Sequence, residues 1–434
     1  MKQIARLVTG MAVGVSVGLF GPPTLVATFS LFKLLFGQLL GFSVPLIILF
    51  YIMSGIGGLQ RGSGRMLSLT VGLAYVSTVL AGCLTFLITQ PWIPDMVPHD
   101  FPSLSQAAST SWLPLSLPPL MDVSTALVTA LVFGTGLSAI GSQPLASLVE
   151  DARRITERLL LNVIVPGLPL YVGAVFAEIA AAGAVVSTLS VFVGVLGLAI
   201  VLHWGWLTLL FTLAGCWTGR NPLTMLRTML PCYLTAVGTM SSAAAIPVTM
   251  ACVRKMKVSS HVTDFSVPLC ATIHISGSVI TLTVCTLAVQ LMSSGTVMNF
   301  PAFVPFILAL GVTLVAAPGV PGGAVTASTG LLISLLGFDD AAVALMISLY
   351  LAQDSFGTAC NVAGDGAIAA LVDKMNPGSA DARRKAQSPQ IKAETRCKGQ
   401  DFRREHTGRP GEASAPSTAE PGREPVAAAG TPPP

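Results

Sequence analysis

Residues 354–365 read DSFGTACNVAGD within an otherwise apolar stretch. Asp354, Thr358, Asn361 and Asp365 are spaced i, i+4, i+7 and i+11, which puts them on one face of a helix. Leu349, Tyr350 and Leu351 precede them, and Ile368 and Leu371 follow. Two carboxylates at membrane depth are costly and rarely face lipid. The row therefore reads as the wall of a polar path inside a helical bundle. It suggests movement of a solute across a membrane with a cation held on the way.

Working outward, the 434 residues are 52% hydrophobic and 10% charged, with mean hydropathy +0.74. That balance excludes a soluble globular domain of this size and gives no sign of a nucleic-acid partner. A spanning helix needs about 20 apolar residues. Long apolar segments occur near 5–24, 30–59, 66–89, 121–149, 158–187, 188–216, 264–293 and 339–372. The fold expected is an all-α polytopic membrane protein with eight transmembrane helices. The first segment has a charged start (Lys2, Arg6) and no cleavage-site pattern, so it reads as a retained helix. Eight cysteines without paired spacing argue against a disulfide framework or a zinc site.

The basic residues give orientation. No Lys or Arg occurs in 66–152, 159–219, 228–253 or 258–373. The basic clusters fall at 2–6, 61–65, 153–158, 220–227, 254–257 and from 374 onward, with Lys33 the exception. With both termini cytoplasmic, eight spans put every cluster on the cytoplasmic side, provided that two broken apolar segments do not cross. Segment 221–253 is flanked by basic clusters and should enter and leave from the cytoplasm. Segment 302–337 has no basic flank and should enter and leave from outside. Two re-entrant hairpins of opposite orientation suggest an inverted repeat. Residues 90–120, rich in Pro and Ser, read as an external loop, and 373–434 as a disordered cytoplasmic tail.

The first hairpin tip is Gly238 to Pro247, where Gly and Ser can leave the helix and Pro247 suits its restart. The second is Ala317-Pro318-Gly319-Val320-Pro321-Gly322-Gly323, which no continuous helix accommodates. Between them, Pro268 to Ser278 carries Pro, Gly, His274 and hydroxyls in an apolar span and marks an unwound stretch. Unpaired backbone groups survive in hydrocarbon only beside protein, water or ligand. Freed carbonyls near two Asp side chains suit sodium, because hard cations prefer oxygen ligands. His203 reads as packing, and Glu178 and Asp264 as residues near the membrane faces.

These pieces together resemble the glutamate-transporter family, the dicarboxylate/amino acid:cation symporters. The matching motifs are Ser241-Ser242 through Met250, Pro268 to Ser278, Gly319 to Gly323 and Asp354 to Asp365, in order over about 230–372. The resemblance implies a homotrimer with an elevator mechanism. It implies that 1–220 is mainly scaffold and trimerisation helices, the third and sixth spans moving with the transport domain. It makes 221–372 the transport core. By resemblance, Asp354 binds a substrate ammonium, and Ser241, Ser242, Ser278, Val320, Gly323, Thr358 and Asn361 complete the substrate site. Asp365 carries one sodium site with groups around Cys270, His274 and Asn361. Carbonyls near Thr272 and at Leu314, Val315 and Ala317 form another. No cofactor is implied beyond the coupling ion.

Where the chain departs from the family's pattern, it is informative. The acidic-substrate transporters place an arginine where Gly357 stands, and another in the first tip where Met240 stands. Without either, nothing pairs bidentately with a substrate side-chain carboxylate. The motif His274-Ile275-Ser276-Gly277-Ser278 has lost an acid and a thioether, as in the bacterial serine/threonine:sodium branch, which the chain resembles most. The expectation is sodium-coupled symport of a small neutral amino acid in the inner (plasma) membrane, with symport of acidic amino acids or dicarboxylates as the alternative. The chain is not expected to be an enzyme: Ser276 two residues from His274 does not assemble a nucleophile and base. A channel would favour repeated polar rings.

Overall fold

Hydrophobic periodicity and helix breakers together divide the described residues into seventeen α-helices, with no strand among them. The computed structural model describes residues 2–57, 64–97, 117–317 and 321–376. The expected tail beyond 376, most of the expected external loop and the Val320 tip lie outside these residues. Helices α1 (Lys2–Phe20), α2 (Pro23–Gly57) and α3 (Gly64–Thr89) come first, followed by the short α4 (Ile93–Met96). Then come α5 (Val123–Ile140), α6 (Gln143–Leu159), α7 (Val165–Ala181) and α8 (Val185–Thr218). A π-helical turn, Leu160–Ile164, joins α6 to α7.

The expected segment boundary at 150–157 is corrected here. The chain breaks at Gly141, whose φ of 70° ends α5 in the left-handed region. It then runs as helix from Gln143 to Ala181. The charges inside that helix are satisfied locally: Arg153 grips Glu150 through two hydrogen bonds (2.8 and 2.7 Å) and reaches Glu157 at 3.1 Å. Among the described residues, five helical segments are long and apolar enough to cross a membrane, and a bent pair adds a sixth. The other two expected spans fall on α1 and α5, which are shorter apolar helices. Val186, Val193 and Val201 recur along α8 and are exposed, as lipid-facing residues are.

In α1, Gly10, Gly14 and Gly18 lie one turn apart against α7. A Cβ on Gly14 would sit 2.0 Å from the Gly173 carbonyl oxygen. Backbones meet directly here, the close approach that small residues permit between membrane helices.

The second half contains α9 (Pro222–Thr228), α10 (Leu230–Thr239), α11 (Ser242–Lys255), α12 (Ser260–Ile273) and α13 (Ser276–Ser294). It continues with α14 (Phe300–Thr313), α15 (Gly323–Leu336), α16 (Asp340–Leu351) and α17 (Asp354–Met375). α10 packs on α11, and α14 packs on α15. The first break lies at Met240, which takes φ 54°, and Ser241 caps α11. Pro247 is therefore not the restart; it lies inside α11. The expected single segment 339–372 is two helices, α16 and α17, bent by 60° at their junction. α13 is almost wholly buried, and α17 packs against α3, α8, α10, α11, α12 and α13.

Candidate functional site

The four polar residues of the opening row all lie on α17, and all are buried. Asp354 begins the helix, where the N-terminal dipole favours a carboxylate. Its Oδ2 accepts a hydrogen bond of 2.8 Å from the Gly322 N–H, just before α15. The bend between α16 and α17 puts Asp354 at a helix start rather than within a helix. Gly323 is buried beside it at the first residue of α15.

About two turns along α17, Asn361 meets the break between α12 and α13. Its Oδ1 accepts from the Gly277 N–H at 2.7 Å and the Ser278 N–H at 3.3 Å. Its Nδ2 donates to Ser278 Oγ at 2.9 Å. The first amides of a helix lack partners within it, so Asn361 supplies a cap for α13 from another helix. The unwound stretch expected at 268–278 is narrower than its breakers suggest: Pro268 remains inside α12, and only His274 and Ile275 leave the helix.

Asp365 sits against that break as well. Its Oδ1 lies 3.0 Å from His274 Nδ1, and His274 Nε2 lies 2.9 Å from Ser77 Oγ on α3. The imidazole is fully enclosed between the two. Oxygen donors therefore converge here, but one carboxylate oxygen is already engaged by His274.

The second expected ion set comes together in part. The 3₁₀ turn Leu314–Ala316 packs on α12, which carries Thr272 and the buried Cys270. The Cys270 carbonyl accepts from His274 N–H at 2.8 Å, and the Leu314 carbonyl from Ala317 N–H at 2.9 Å. Thr272 is exposed, its hydroxyl donating to the Leu269 carbonyl at 2.8 Å, and Val315 is half-buried. Ser241 and Ser242 are half-buried where α11 starts, and both α10 and α11 pack along α17. Val320 lies outside the described residues. Among the described residues no three His, Cys, Asp or Glu side chains group to hold a metal.

Sequence reasoning missed four features. His203, read as packing, has Nε2 3.0 Å from the Gly277 carbonyl oxygen and 3.1 Å from Thr281 Oγ1. Ser77 carried no signal among the hydroxyls of α3. Lys33, the outlier in the basic distribution, is paired with Glu178 across 145 residues, and Asp264 with Arg254 at 2.5 Å.

The serine/threonine transporter SstT of Bifidobacterium adolescentis is 27% identical over 395 residues, 85% of this chain and 89% of the relative. The serine/threonine transporter SstT of Streptococcus agalactiae is 25% identical over 404 residues, 86% and 95% respectively. The sodium:dicarboxylate symporter family matches residues 4–375, from the first turn of α1 to the end of α17. The matched proteins are transporters, not enzymes. With a buried polar row on α17, breaks facing it and apolar helices around it, the chain is a multi-pass membrane protein and belongs to the sodium:dicarboxylate symporter family.

Proposed function

We propose that this protein couples symport of a small neutral amino acid, of the serine, threonine or alanine type, to sodium. The position of Gly357 carries the reading. By resemblance, an arginine for an acidic side chain belongs there. Gly357 has no side chain, and a Cβ would already lie 3.0 Å from Thr281 Oγ1 and 3.3 Å from the Gly277 carbonyl oxygen. The sequence holds no Lys or Arg from 258 to 373. A second carboxylate on the cargo would stay uncompensated at membrane depth. The relatives named as serine/threonine transporters support the neutral cargo. Acidic amino acids or dicarboxylates, suggested by the family's description, lack the cation they need.

In this reading Asp354 holds the substrate ammonium, with Ser241, Ser242, Ser278, Val320, Gly323, Thr358 and Asn361 around it. Sodium is taken by Asp365 and Asn361 with backbone oxygens around Cys270 and His274. A second ion sits among carbonyls near Thr272, Leu314, Val315 and Ala317. These are oxygen donors of the kind a hard cation prefers. The architecture proposed is eight spans, with α10–α11 and α14–α15 as re-entrant hairpins of opposite orientation. Residues 221–372 form an elevator-like transport core within a homotrimer, and 1–220 mainly the scaffold. The termini lie in the cytoplasm and the protein in the inner membrane. The basic residues flanking α9–α11, and their absence around α14–α15, support the orientations. The test is uptake of labelled L-serine by purified protein in liposomes. Saturable uptake that needs an inward sodium gradient is expected; uptake indifferent to sodium overturns the proposal.

A further inference from the structure

His203 is a fully buried imidazole that the transport reading does not use. It stands on α8, outside 221–372, and points at the break beneath Asn361. The peptide unit between Gly277 and Ser278 is held at both ends. Its carbonyl oxygen faces His203 Nε2 at 3.0 Å, and its N–H faces Asn361 Oδ1 at 3.3 Å. A carbonyl can only accept, so His203 Nε2 carries the proton and donates. Thr281 Oγ1 adds a second donor to the same oxygen at 3.1 Å.

Residue 277 cannot fix this peptide with a side chain of its own. A Cβ there would lie 2.3 Å from the Gly357 carbonyl oxygen and 2.6 Å from Cys360 Cβ. The peptide also sits in the first turn of α13, and no side chain of the preceding Ile275 caps that turn. Its orientation therefore depends on groups from other helices, Asn361 on one side and His203 on the other. The backbone carbonyl of residue 203, which any side chain would leave in place, also accepts from Cys360 Sγ at 3.8 Å.

We infer that His203 is a positioning residue of the substrate site: by holding the Gly277 carbonyl, it sets the α13 amides and the Ser278 hydroxyl that orient the Asn361 amide. The inference rests on the proposed site at Asn361 and Asp354. Losing one such hydrogen bond lowers affinity by about tenfold.

The test measures L-serine uptake in proteoliposomes by wild type, His203→Leu, His203→Gln and Asp354→Asn, with thermal unfolding of each. His203→Leu should raise the serine KM about tenfold with a smaller change in kcat. His203→Gln, whose amide can donate to the same carbonyl, should recover to within about threefold of wild type. If the Leu variant does not accumulate in membranes, His203→Asn, polar but too short to reach Gly277, takes its place with the same expected KM. A fall in the unfolding midpoint with serine KM unchanged in the Leu or Asn variant overturns the inference, since His203 then only packs. Gln behaving no better than Leu overturns it too. Failure of the underlying site shows separately, as Asp354→Asn retaining wild-type serine affinity, and takes the inference down with it.

Discussion

The carboxylate of Asp354 on α17 accepts a hydrogen bond from the backbone N–H of Gly322, 32 residues earlier in the chain. The glycine-rich turn before α15 is thereby tied to the start of the polar row. Asp354→Asn keeps an oxygen for that N–H and loses only the charge. The variant should therefore fold, with sodium binding retained and substrate affinity weakened by about 2–5 kcal/mol, the cost of stranding one partner of a buried charge pair. Calorimetric titration with L-serine checks this; wild-type affinity contradicts it.

Asp365 has a different partner, the imidazole of His274, which Ser77 fixes from the other side. Asp365→Asn should raise the sodium concentration for half-maximal uptake by about tenfold or more, since a charge-assisted ligand is lost. Serine affinity should fall only through coupling, which is reciprocal. Sodium titrations with and without saturating serine separate the two effects. An unchanged sodium dependence assigns Asp365 to holding His274 alone.

An arginine at position 357 tests the reading of cargo charge. The Cβ site faces Thr281 and Gly277 rather than open space. Gly357→Arg should shift preference toward aspartate, since its planar fork of donors can pair with a side-chain carboxylate, at a cost of about 1–3 kcal/mol in stability from crowding between α13 and α17. Unchanged selectivity in a well-folded, active variant contradicts the assignment of this position.

Gly14→Leu addresses the first helix. Its Cβ would meet the Gly173 carbonyl at 2.0 Å, and neither atom belongs to a side chain that can swing away. The α1–α7 contact must separate, and the thermal midpoint in detergent should drop by several degrees, as expected for a loss of about 1–3 kcal/mol. A midpoint equal to wild type contradicts the contact.

Spacing alone located the row on α17, because i, i+4, i+7 and i+11 are a property of one helix. The break near 274 was legible from its Pro and Gly, although only two residues leave the helix. Pro247 misled because proline suits a helix's first turn, whereas here it is the sixth residue of α11 and gives up a backbone hydrogen bond inside it. The bend before Asp354 has no Pro or Gly at Ala352 and Gln353, and so left no local mark. Arg153 looked like a loop residue until Glu150 and Glu157 were seen to neutralise it one turn away. Lys33 and His203 were illegible for a common reason: their partners, Glu178 and Gly277, are distant in sequence. A single chain read in order gives periodicities and breakers, but not which helix faces which.

The most direct test of sodium-coupled neutral amino acid symport is competition in proteoliposomes. L-Serine uptake under an inward sodium gradient is measured with excess unlabelled L-threonine, L-alanine or L-aspartate at neutral pH. The account predicts that threonine or alanine suppresses uptake, that aspartate does not, and that all uptake vanishes when sodium is replaced by choline. Strong suppression by aspartate, or serine uptake that persists without sodium, would contradict it.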